Sequence, residues 1–265
     1  MITYIGSSLK MVNISSGRVA FVGAGPGAPD LITVRGLRLL QAADVVIHDS
    51  LPGDALLAEC SATARIIAVG KRCGLHSATQ EEINTILAHE ARRSGLVVRL
   101  KGGDPGVFGR LGEEIDHLAA EGIPFEIVPG VTAATAAGAE SGFPLTHRGK
   151  AASVTFLTGH CADGSDQNWS AHVQTGATLC LYMGAKSLPS VAQKLIVAGA
   201  ERTLPIRLLS KISQPGASDV LTTLQALAKG EVDVASLPTP LIAVVGAVVE
   251  SPRTSGLVGR IAAFA

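Results

Sequence analysis

The hydrophobic pattern of the chain predicts a regular alternation of strands and helices. Short apolar runs rich in Val, Ile and Leu alternate with longer stretches whose apolar residues recur at helical spacing. In the first part of the chain, strands are predicted at 18–22, 44–47, 65–69, 96–100 and 125–128. Helices are predicted at 31–41, from a capping box at 79–82 to about 95, at 113–121 and at 131–140. This rhythm is typical of a mostly parallel sheet with helices on both faces.

The texture of the sequence changes after residues 144–148. Strands are predicted at 153–157, 177–182, 206–210 and 241–249, helices at 188–198 and 220–228, and surface loops at 162–170 and 214–218. We therefore predict an α/β protein of two α/β domains, 18–147 and 148–265, preceded by an N-terminal extension, 1–17. Because ligands often bind where domains meet, the cleft between them is the predicted site.

Composition and charge exclude several classes of protein. Apolar residues make up 47% of the chain and charged residues 17%, which is typical of a folded core. Basic and acidic residues number 22 each and aromatic residues are 3%, so a nucleic-acid partner is not expected. The apolar stretch 241–249 is too short to span a membrane, and the first residues lack a secretory pattern. We expect a cytoplasmic protein.

The cysteines give no indication of a metal site or a disulfide. Cys60, Cys73, Cys161 and Cys180 show neither a CxxC pattern nor the Cys/His spacing of metal sites. Reduced thiols in a cytoplasmic protein, with no bound metal, are the expectation.

A glycine-rich segment, 101–110, follows the strand predicted at 96–100. It contains four glycines, and glycine leaves the main chain open to close approach by a ligand. Asp104 lies where parallel strands end, which is where open α/β sheets bind ligands. The alternative role for Asp104 is to cap the next helix.

A second glycine turn, 23–28, follows the first predicted strand and satisfies the dinucleotide pattern GxGxxA. Asp44 or Asp49 lies about 20 residues further on, as in NAD-binding folds. Pro26 and Pro29, however, remove two main-chain donors from a turn that would have to bind phosphate. A structural turn and the close approach of a different ligand stay open beside NAD binding.

Five cations lie at or near predicted strand ends or turns: Lys71, Arg72, Lys101, Arg110 and Arg148. Solvated surface is the ordinary role of such residues. In a chain without net charge, their clustering in the first domain also suggests a local anion site.

Taken in order, several segments between residues 19 and 249 resemble the tetrapyrrole methylase family. They are 22–27, 80–84, 99–105, 108–110, 144–148, 153–156, 158–160 and 182–184. One glycine loop would be weak evidence, but the ordered set is specific. The resemblance implies a two-domain α/β homodimer that binds S-adenosylmethionine in the interdomain cleft and releases S-adenosylhomocysteine.

The resemblance also implies roles for individual residues. The family's cofactor positions fall on Pro26, Gly102, Gly103, Asp104, Val107, Thr132, Ala133, Met183 and Ile212. The acid–base roles fall on Asp49 and Lys71. Substrate contacts fall on Arg110, which also counts among the catalytic positions, and on Glu113, Arg148 and His160.

The implied reaction is methylation of uroporphyrinogen III at C2 and C7, giving precorrin-2 through precorrin-1, for sirohaem or cobalamin synthesis. A sulfonium methyl is already electrophilic, so catalysis needs positioning, a base for the ring proton and arginines for the substrate carboxylates. Three alternatives remain: a methyltransferase of a later precursor such as precorrin-4, an NAD-linked oxidoreductase, and a non-catalytic cofactor-binding protein.

Four residues depart from the family's usual pattern. Ser50 replaces an arginine, Gly106 a phenylalanine, Leu111 a glycine, and Ile212 a glycine or alanine. The loss of an arginine at Ser50 removes a carboxylate anchor, and the bulk of Ile212 is expected to crowd the adenosine side. The departures at Ser50 and Ile212 motivate the non-catalytic alternative.

Overall fold

The computed structural model describes residues 17–70, 78–159 and 166–250 and contains two five-stranded sheets. Residues 1–16, which make up most of the predicted extension, and Lys71 and His160 lie outside the described residues. No helix within the described ranges is long and apolar enough to cross a membrane. The α/β fold class predicted from the sequence is confirmed.

The first sheet is entirely parallel. Its strands are β1 (Arg18–Gly23), β2 (Val45–His48), β3 (Arg65–Ala68), β4 (Leu96–Lys101) and β5 (Phe125–Val128). They are arranged in the order β3-β2-β4-β1-β5. All five strands were predicted within one residue at each end, because each contains a short apolar run; the inner strands β1, β2 and β4 are almost fully buried, whereas the edge strands β3 and β5 are partly exposed.

Helices cover both faces of this sheet. In chain order the helices of this half are α1 (Val34–Gln41), α2 (Asp54–Leu57), α3 (Gln80–Ala91), α4 (Leu111–Ala120) and α5 (Ala133–Ser141). Leu40 of α1 and Leu56 of α2 lie in one hydrophobic cluster, and Leu87 of α3 and Leu118 of α4 in another. The capping box that opens α3 is present. The helix predicted from 31 begins later, because Thr33 caps α1 and a 3-10 turn precedes it.

The second sheet is mixed. Its strands are β6 (Val154–Thr158), β7 (Thr178–Tyr182), β8 (Pro205–Ser210), β9 (Ser218–Thr223) and β10 (Leu241–Val245), in the order β6-β7-β10-β8-β9. Only the β6–β7 pair among them is parallel. The helices α6 (Trp169–Gln174), α7 (Leu188–Val197) and α8 (Leu224–Ala228) cover one face.

The other face of the second sheet is covered by α5, which precedes residue 148 in the chain. Ala134 and Ala137 of α5 share a hydrophobic cluster with Leu209 of β8 and with Ile242 and Val244 of β10. The first half of the chain therefore supplies part of the core of the second, and a domain boundary at 147–148 stays a prediction.

Two predictions in the second half were wrong. The helix predicted at 220–228 begins only at Leu224, because Ser218–Thr223 forms β9 and pairs antiparallel with β8. The strand predicted at 241–249 ends at Val245, since Gly246, with φ of 145°, turns the chain into a 3-10 helix. In both cases one apolar run spans two elements, which periodicity alone cannot divide.

Candidate functional site

A cavity of about 520 Å³ lies between the two sheets, at the carboxyl ends of the strands of the first. We call the part formed by the turns after β1, β2, β4 and β5 the first wall. It comprises Gly25, Pro26, Asp49, Leu51, residues 101–104, residues 107–109, Thr132 and Ala133. The second wall comes from the second sheet and comprises Tyr182, Met183, Ala185, Lys186, Leu209, Ile212 and residues 239–242.

The topology of the first sheet explains the position of the cavity. Strands β1 and β4 are neighbours, but the chain leaves β1 for β2 and leaves β4 for β5, toward opposite edges of the sheet. Ligands of open α/β sheets bind at such a switch point, beyond the carboxyl ends of the strands.

The glycines of the first wall allow three strand ends to pack main chain against main chain. Gly25 and Gly103 exchange two hydrogen bonds, of 3.2 and 2.7 Å, and both have left-handed φ values, of 77° and 67°. A Cβ atom on Gly130, after β5, would lie 2.2 Å from the carbonyl oxygen of Gly103. The packing of the strand ends therefore requires glycine at position 130, independently of any ligand that approaches the main chain.

Asp104 holds this arrangement together. Its Oδ1 accepts a hydrogen bond from the Gly106 N–H at 2.8 Å, and its Oδ2 accepts one from the Gly130 N–H at 2.9 Å. The alternative that Asp104 caps the next helix is wrong, since the N-cap of α4 is Arg110. The carboxylate stabilises the loop, and the residue also borders the cavity.

The first glycine turn does not have the geometry of a dinucleotide site. Such a site uses the N–H groups of a helix that starts within the glycine pattern. Here α1 starts at Val34, well beyond Gly27, and its N-cap Thr33 accepts a hydrogen bond from the Gly36 N–H. The free N–H groups of a helix N-terminus are therefore not directed at this turn.

A largely buried charge cluster, formed by Asp49, Arg99, Lys101 and Glu114, extends from the first wall, to which Asp49 and Lys101 belong, into the interior. The Lys101 ammonium donates to both oxygens of the fully buried Glu114, at 2.8 and 2.9 Å. Arg99 donates to Glu114 Oε1 at 3.2 Å and to Asp49 Oδ1 at 2.6 Å. Burial, and after it the charge of Arg99, lowers the pKa of Lys101.

Sequence reasoning identified only part of the charge cluster. It placed Lys101 in a suggested anion site, but the ammonium is bonded to Glu114. Arg99 and Glu114 were not singled out for chemistry, because one lies inside an apolar strand and the other in a helix with ordinary polar spacing. Asp49 and Lys101 both line the cavity, and Asp49 is the more exposed of the two, with 30% of its side-chain surface accessible.

Tyr182 connects the second wall to the first. Its hydroxyl lies 2.7 Å from Thr132 Oγ1 and accepts a hydrogen bond from the Ala134 N–H at 3.1 Å. Its ring lies 5.1 Å from that of Phe108 and 5.7 Å from that of Phe156, between centroids. Burial raises the pKa of Tyr182, so the hydroxyl stays protonated near neutral pH.

Left-handed backbone conformations of residues other than glycine are concentrated around the cavity. In the part of the chain that the structure describes, they occur at Phe108, Arg110, Met183, Lys211 and Ser213, with φ between 47° and 59°. Phe108 and Met183 line the cavity. Each such conformation costs about 1–3 kcal/mol, and strain of this kind collects at functional sites.

All nine residues that the resemblance assigned to the cofactor line this one cavity, together with Asp49. Ile212 is buried and belongs to the hydrophobic cluster beneath α5. Their contact with a cofactor, and the crowding expected from Ile212, stay predictions. The sequence did not indicate the segment 239–242, although the prolines before the strand at 241 could have suggested a turn there.

The predicted substrate residues that the structure describes, Arg110, Glu113 and Arg148, do not line the cavity. Arg110 and Glu113 are exposed and bond to each other through two hydrogen bonds, of 2.8 and 2.6 Å. This pairing raises the pKa of Arg110 and lowers the pKa of Glu113. Arg148 is exposed in the turn between α5 and β6. Their substrate contacts stay predictions, as does the role of His160.

A family model and curated relatives both relate this chain to enzymes of tetrapyrrole synthesis. The family model described as Tetrapyrrole (Corrin/Porphyrin) Methylases matches residues 18–228. Siroheme synthase 1 of Yersinia enterocolitica is 47% identical over 244 residues, covering 92% of this chain and 51% of that protein. Siroheme synthase of Azotobacter vinelandii is 48% identical over 228 residues, with 85% and 49% covered. The chain thus spans about half the length of these curated relatives.

Two solved structures resemble this chain over nearly their whole length. The uroporphyrin-III C-methyl transferase of Thermus thermophilus, complexed with S-adenyl homocysteine, superposes with a TM-score of 0.78 at 37% identity, covering 88% of this chain and 99% of that one. A cobalt precorrin-4 methyltransferase, a cobalamin biosynthetic enzyme, gives 0.78 at 28% identity, with 88% and 96% covered. The family model, the curated relatives and the solved structures agree, and the chain belongs to the tetrapyrrole methylase family.

Proposed function

We propose that the chain is an S-adenosylmethionine-dependent C-methyltransferase that converts uroporphyrinogen III to precorrin-2 through precorrin-1, by methylation at C2 and C7. One observation carries the proposal: all nine cofactor positions transferred from the resemblance line a single cavity. The similarity to a Thermus enzyme complexed with S-adenyl homocysteine supports the same cofactor here.

The cavity fits S-adenosylmethionine in size and in chemistry. A volume of about 520 Å³ is within the range of small-molecule sites. The first wall offers main-chain groups at Gly102, Gly103 and Ala133, which suit the amino acid and ribose parts, and the second offers apolar side chains such as Ile212 for the adenine. When bound, this cofactor supplies an electrophilic methyl group.

The residues of the chain then have to orient the substrate and accept a proton. Asp49 is the proton acceptor in this proposal. Its Oδ1 is held by Arg99 at 2.6 Å, which fixes the carboxylate at the cavity while the rest of the charge cluster stays buried. A positioned carboxylate can accept the ring proton that is lost after methylation. Lys71, the other acid–base position, lies outside the described residues.

The carboxylates of the substrate require cations outside the cavity. Arg110 follows the loop that forms the first wall, and its guanidinium is bonded to the exposed Glu113. A substrate carboxylate can take the place of Glu113 in the same two-bond geometry. We further propose a homodimer in the cytoplasm, as the resemblance implies, with sirohaem or cobalamin as the end product.

The decisive test is an anaerobic assay with S-adenosylmethionine and uroporphyrinogen III, read by product mass beside an active control enzyme. The proposal predicts two added methyl groups and release of S-adenosylhomocysteine. Absence of methyl transfer, with the control active, would contradict it. Asp49→Asn should bind S-adenosylhomocysteine normally and lose turnover.

The same protein can be tested against the alternatives. A panel that includes precorrin-4 separates the first step from later ones, and the higher identity to the uroporphyrin-III enzyme than to the cobalt precorrin-4 enzyme, 37% against 28%, favours the first. Titration with NAD addresses the oxidoreductase, which the late start of α1 argues against. Cofactor binding without turnover would favour the non-catalytic alternative.

A further inference from the structure

A turn of the second half of the chain reaches over to the first glycine turn. Gln214 lies between β8 and β9, and its Nε2 donates a hydrogen bond of 3.1 Å to the carbonyl oxygen of Pro26, 188 residues away. Pro26 belongs to the first wall of the cavity and Ile212, two residues before Gln214, to the second. The bond therefore ties the two walls together directly beside the cavity.

The turn that carries Gln214 is shaped to present this side chain. The Gln214 N–H donates to the carbonyl of Lys211 at 2.9 Å, and the Lys211 N–H donates to the carbonyl of Pro240 at 2.8 Å. Lys211 and Ser213 both adopt left-handed conformations, with φ of 47° and 59°. Two strained residues in one short turn persist only when their surroundings enforce them.

The first glycine turn is shaped to receive it. A Cβ atom at Gly27 would lie 2.4 Å from Gln214 Cγ and 2.7 Å from its Nε2. Any other residue at position 27 would therefore displace the amide from Pro26. Gly27, which stands at a variable position of the GxGxxA pattern, thus makes room for a side chain from the opposite wall.

We propose that Gln214 is a positioning residue that holds the two walls of the cavity together around the bound cofactor and slows its release. The inference rests on the proposed function, because it takes S-adenosylmethionine and S-adenosylhomocysteine as the ligands. Separation of the walls requires the Gln214–Pro26 bond to break. A single neutral hydrogen bond of this kind corresponds to a two- to tenfold change, roughly, in the release rate.

The test compares Gln214→Ala and Gln214→Glu with the parent protein and with Gln174→Ala, an exposed glutamine at the end of α6. Release of S-adenosylhomocysteine is measured by rapid displacement, and methyl transfer in single turnovers at saturating cofactor. Gln214→Ala should release the ligand about two- to tenfold faster. Gln214→Glu should release it at least as fast, because a carboxylate cannot donate to Pro26 and is repelled by its carbonyl.

A purely structural role would give a different pattern. The inference predicts a raised KM for the cofactor and an unchanged single-turnover rate, with a loss in the free energy of unfolding without ligand no larger than one hydrogen bond accounts for. Release rates equal to that of the parent in both Gln214 variants would overturn the inference. If the parent protein itself does not bind S-adenosylhomocysteine, the proposed function fails first and this inference fails with it.

Discussion

The two walls of the cavity differ in the parts of the residues that form them. The first wall is mainly main chain: glycines after β1, β4 and β5 pack against one another and leave N–H and C=O groups at the surface. The second wall is mainly side chain, and one of its members, Met183, is held in a strained backbone conformation. Substitutions in the first wall and its support should therefore reduce folding stability most, whereas those at exposed positions of the second, such as Met183, should mainly change ligand affinity.

The largest effect is expected in the charge cluster that supports the first wall. Glu114→Gln keeps the shape of the side chain but leaves Arg99 and Lys101 with Asp49 as the remaining carboxylate of the cluster. Breaking a buried ion pair by removing one partner costs about 3–5 kcal/mol. Urea unfolding of the variant should show a loss of this size.

The neighbouring Glu113 provides the control. It pairs with Arg110 at the surface, where both side chains are more than half exposed. Glu113→Gln should cost less than about 1 kcal/mol, since exposed pairs contribute little. Equal losses for the two variants would contradict the view that the first wall rests on a buried cluster.

A second test addresses the main-chain packing of the first wall. Gly130→Ala would place a methyl group 2.2 Å from the Gly103 carbonyl oxygen and 2.8 Å from Gly23 Cα, so the strand ends must separate. We expect a loss of about 3 kcal/mol in unfolding experiments, at the upper end of ordinary overpacking. S-adenosylhomocysteine binding, measured by calorimetry, should weaken as well.

Gly112→Ala is the matched control for that substitution. Gly112 lies in the first turn of α4, and a Cβ atom there meets nothing within 4 Å. Alanine should increase stability by about 0.5–1 kcal/mol because it favours helix. If Gly130→Ala were equally harmless, the close approach of the three glycine turns would not be needed.

This contrast also explains what the sequence could predict. The strands of the first sheet contain short apolar runs, and the glycine turns after β1 and β4 are visible as patterns, so these two parts of the first wall can be located from the residues, whereas Thr132 and Ala133 come from the family resemblance. The buried member Glu114 of the charge cluster could not be located in this way, because it follows Glu113 in a helix, where two adjacent carboxylates usually indicate a solvated face. Only the packing of α4 on β4 distinguishes the buried residue from the exposed one.

The second wall was harder to predict because it depends on antiparallel pairing between distant segments. The sequence pattern predicts a helix at 220–228, which includes most of β9, and a surface loop at 214–218, in the turn between β8 and β9. Met183 and Ile212 were predicted as cofactor positions only through the family resemblance. No local sequence pattern indicates the hydrogen bond between Gln214 and Pro26. Contacts between residues far apart in sequence cannot be obtained from periodicity, which reports only local geometry.

A third test concerns the contact between the walls at Tyr182. Tyr182→Phe removes the hydroxyl that lies 2.7 Å from Thr132 Oγ1 and accepts from the Ala134 N–H. A loss of about 1 kcal/mol in stability is expected for these bonds. A double-mutant cycle with Thr132→Val, followed by chemical unfolding, isolates the pair. Additive losses in the cycle would mean that the two side chains do not couple the walls.

The smallest change in stability, and the clearest separation of stability from binding, is expected at Met183. This residue is 57% exposed and has φ of 54°, so its backbone conformation is unfavourable for any side chain. Met183→Ala removes the proposed contact with the cofactor and keeps the strain, whereas Met183→Gly removes both. The glycine variant should therefore be more stable than the alanine variant by about 1 kcal/mol, although both should bind S-adenosylhomocysteine more weakly than the parent.

Val197→Ala, at a more exposed position on α7, should leave binding unchanged. A glycine variant less stable than the alanine variant would mean that the conformation at Met183 is not strained. Parent-like affinity in both variants would remove Met183 from the binding surface and leave ligand recognition to the main chain of the first wall.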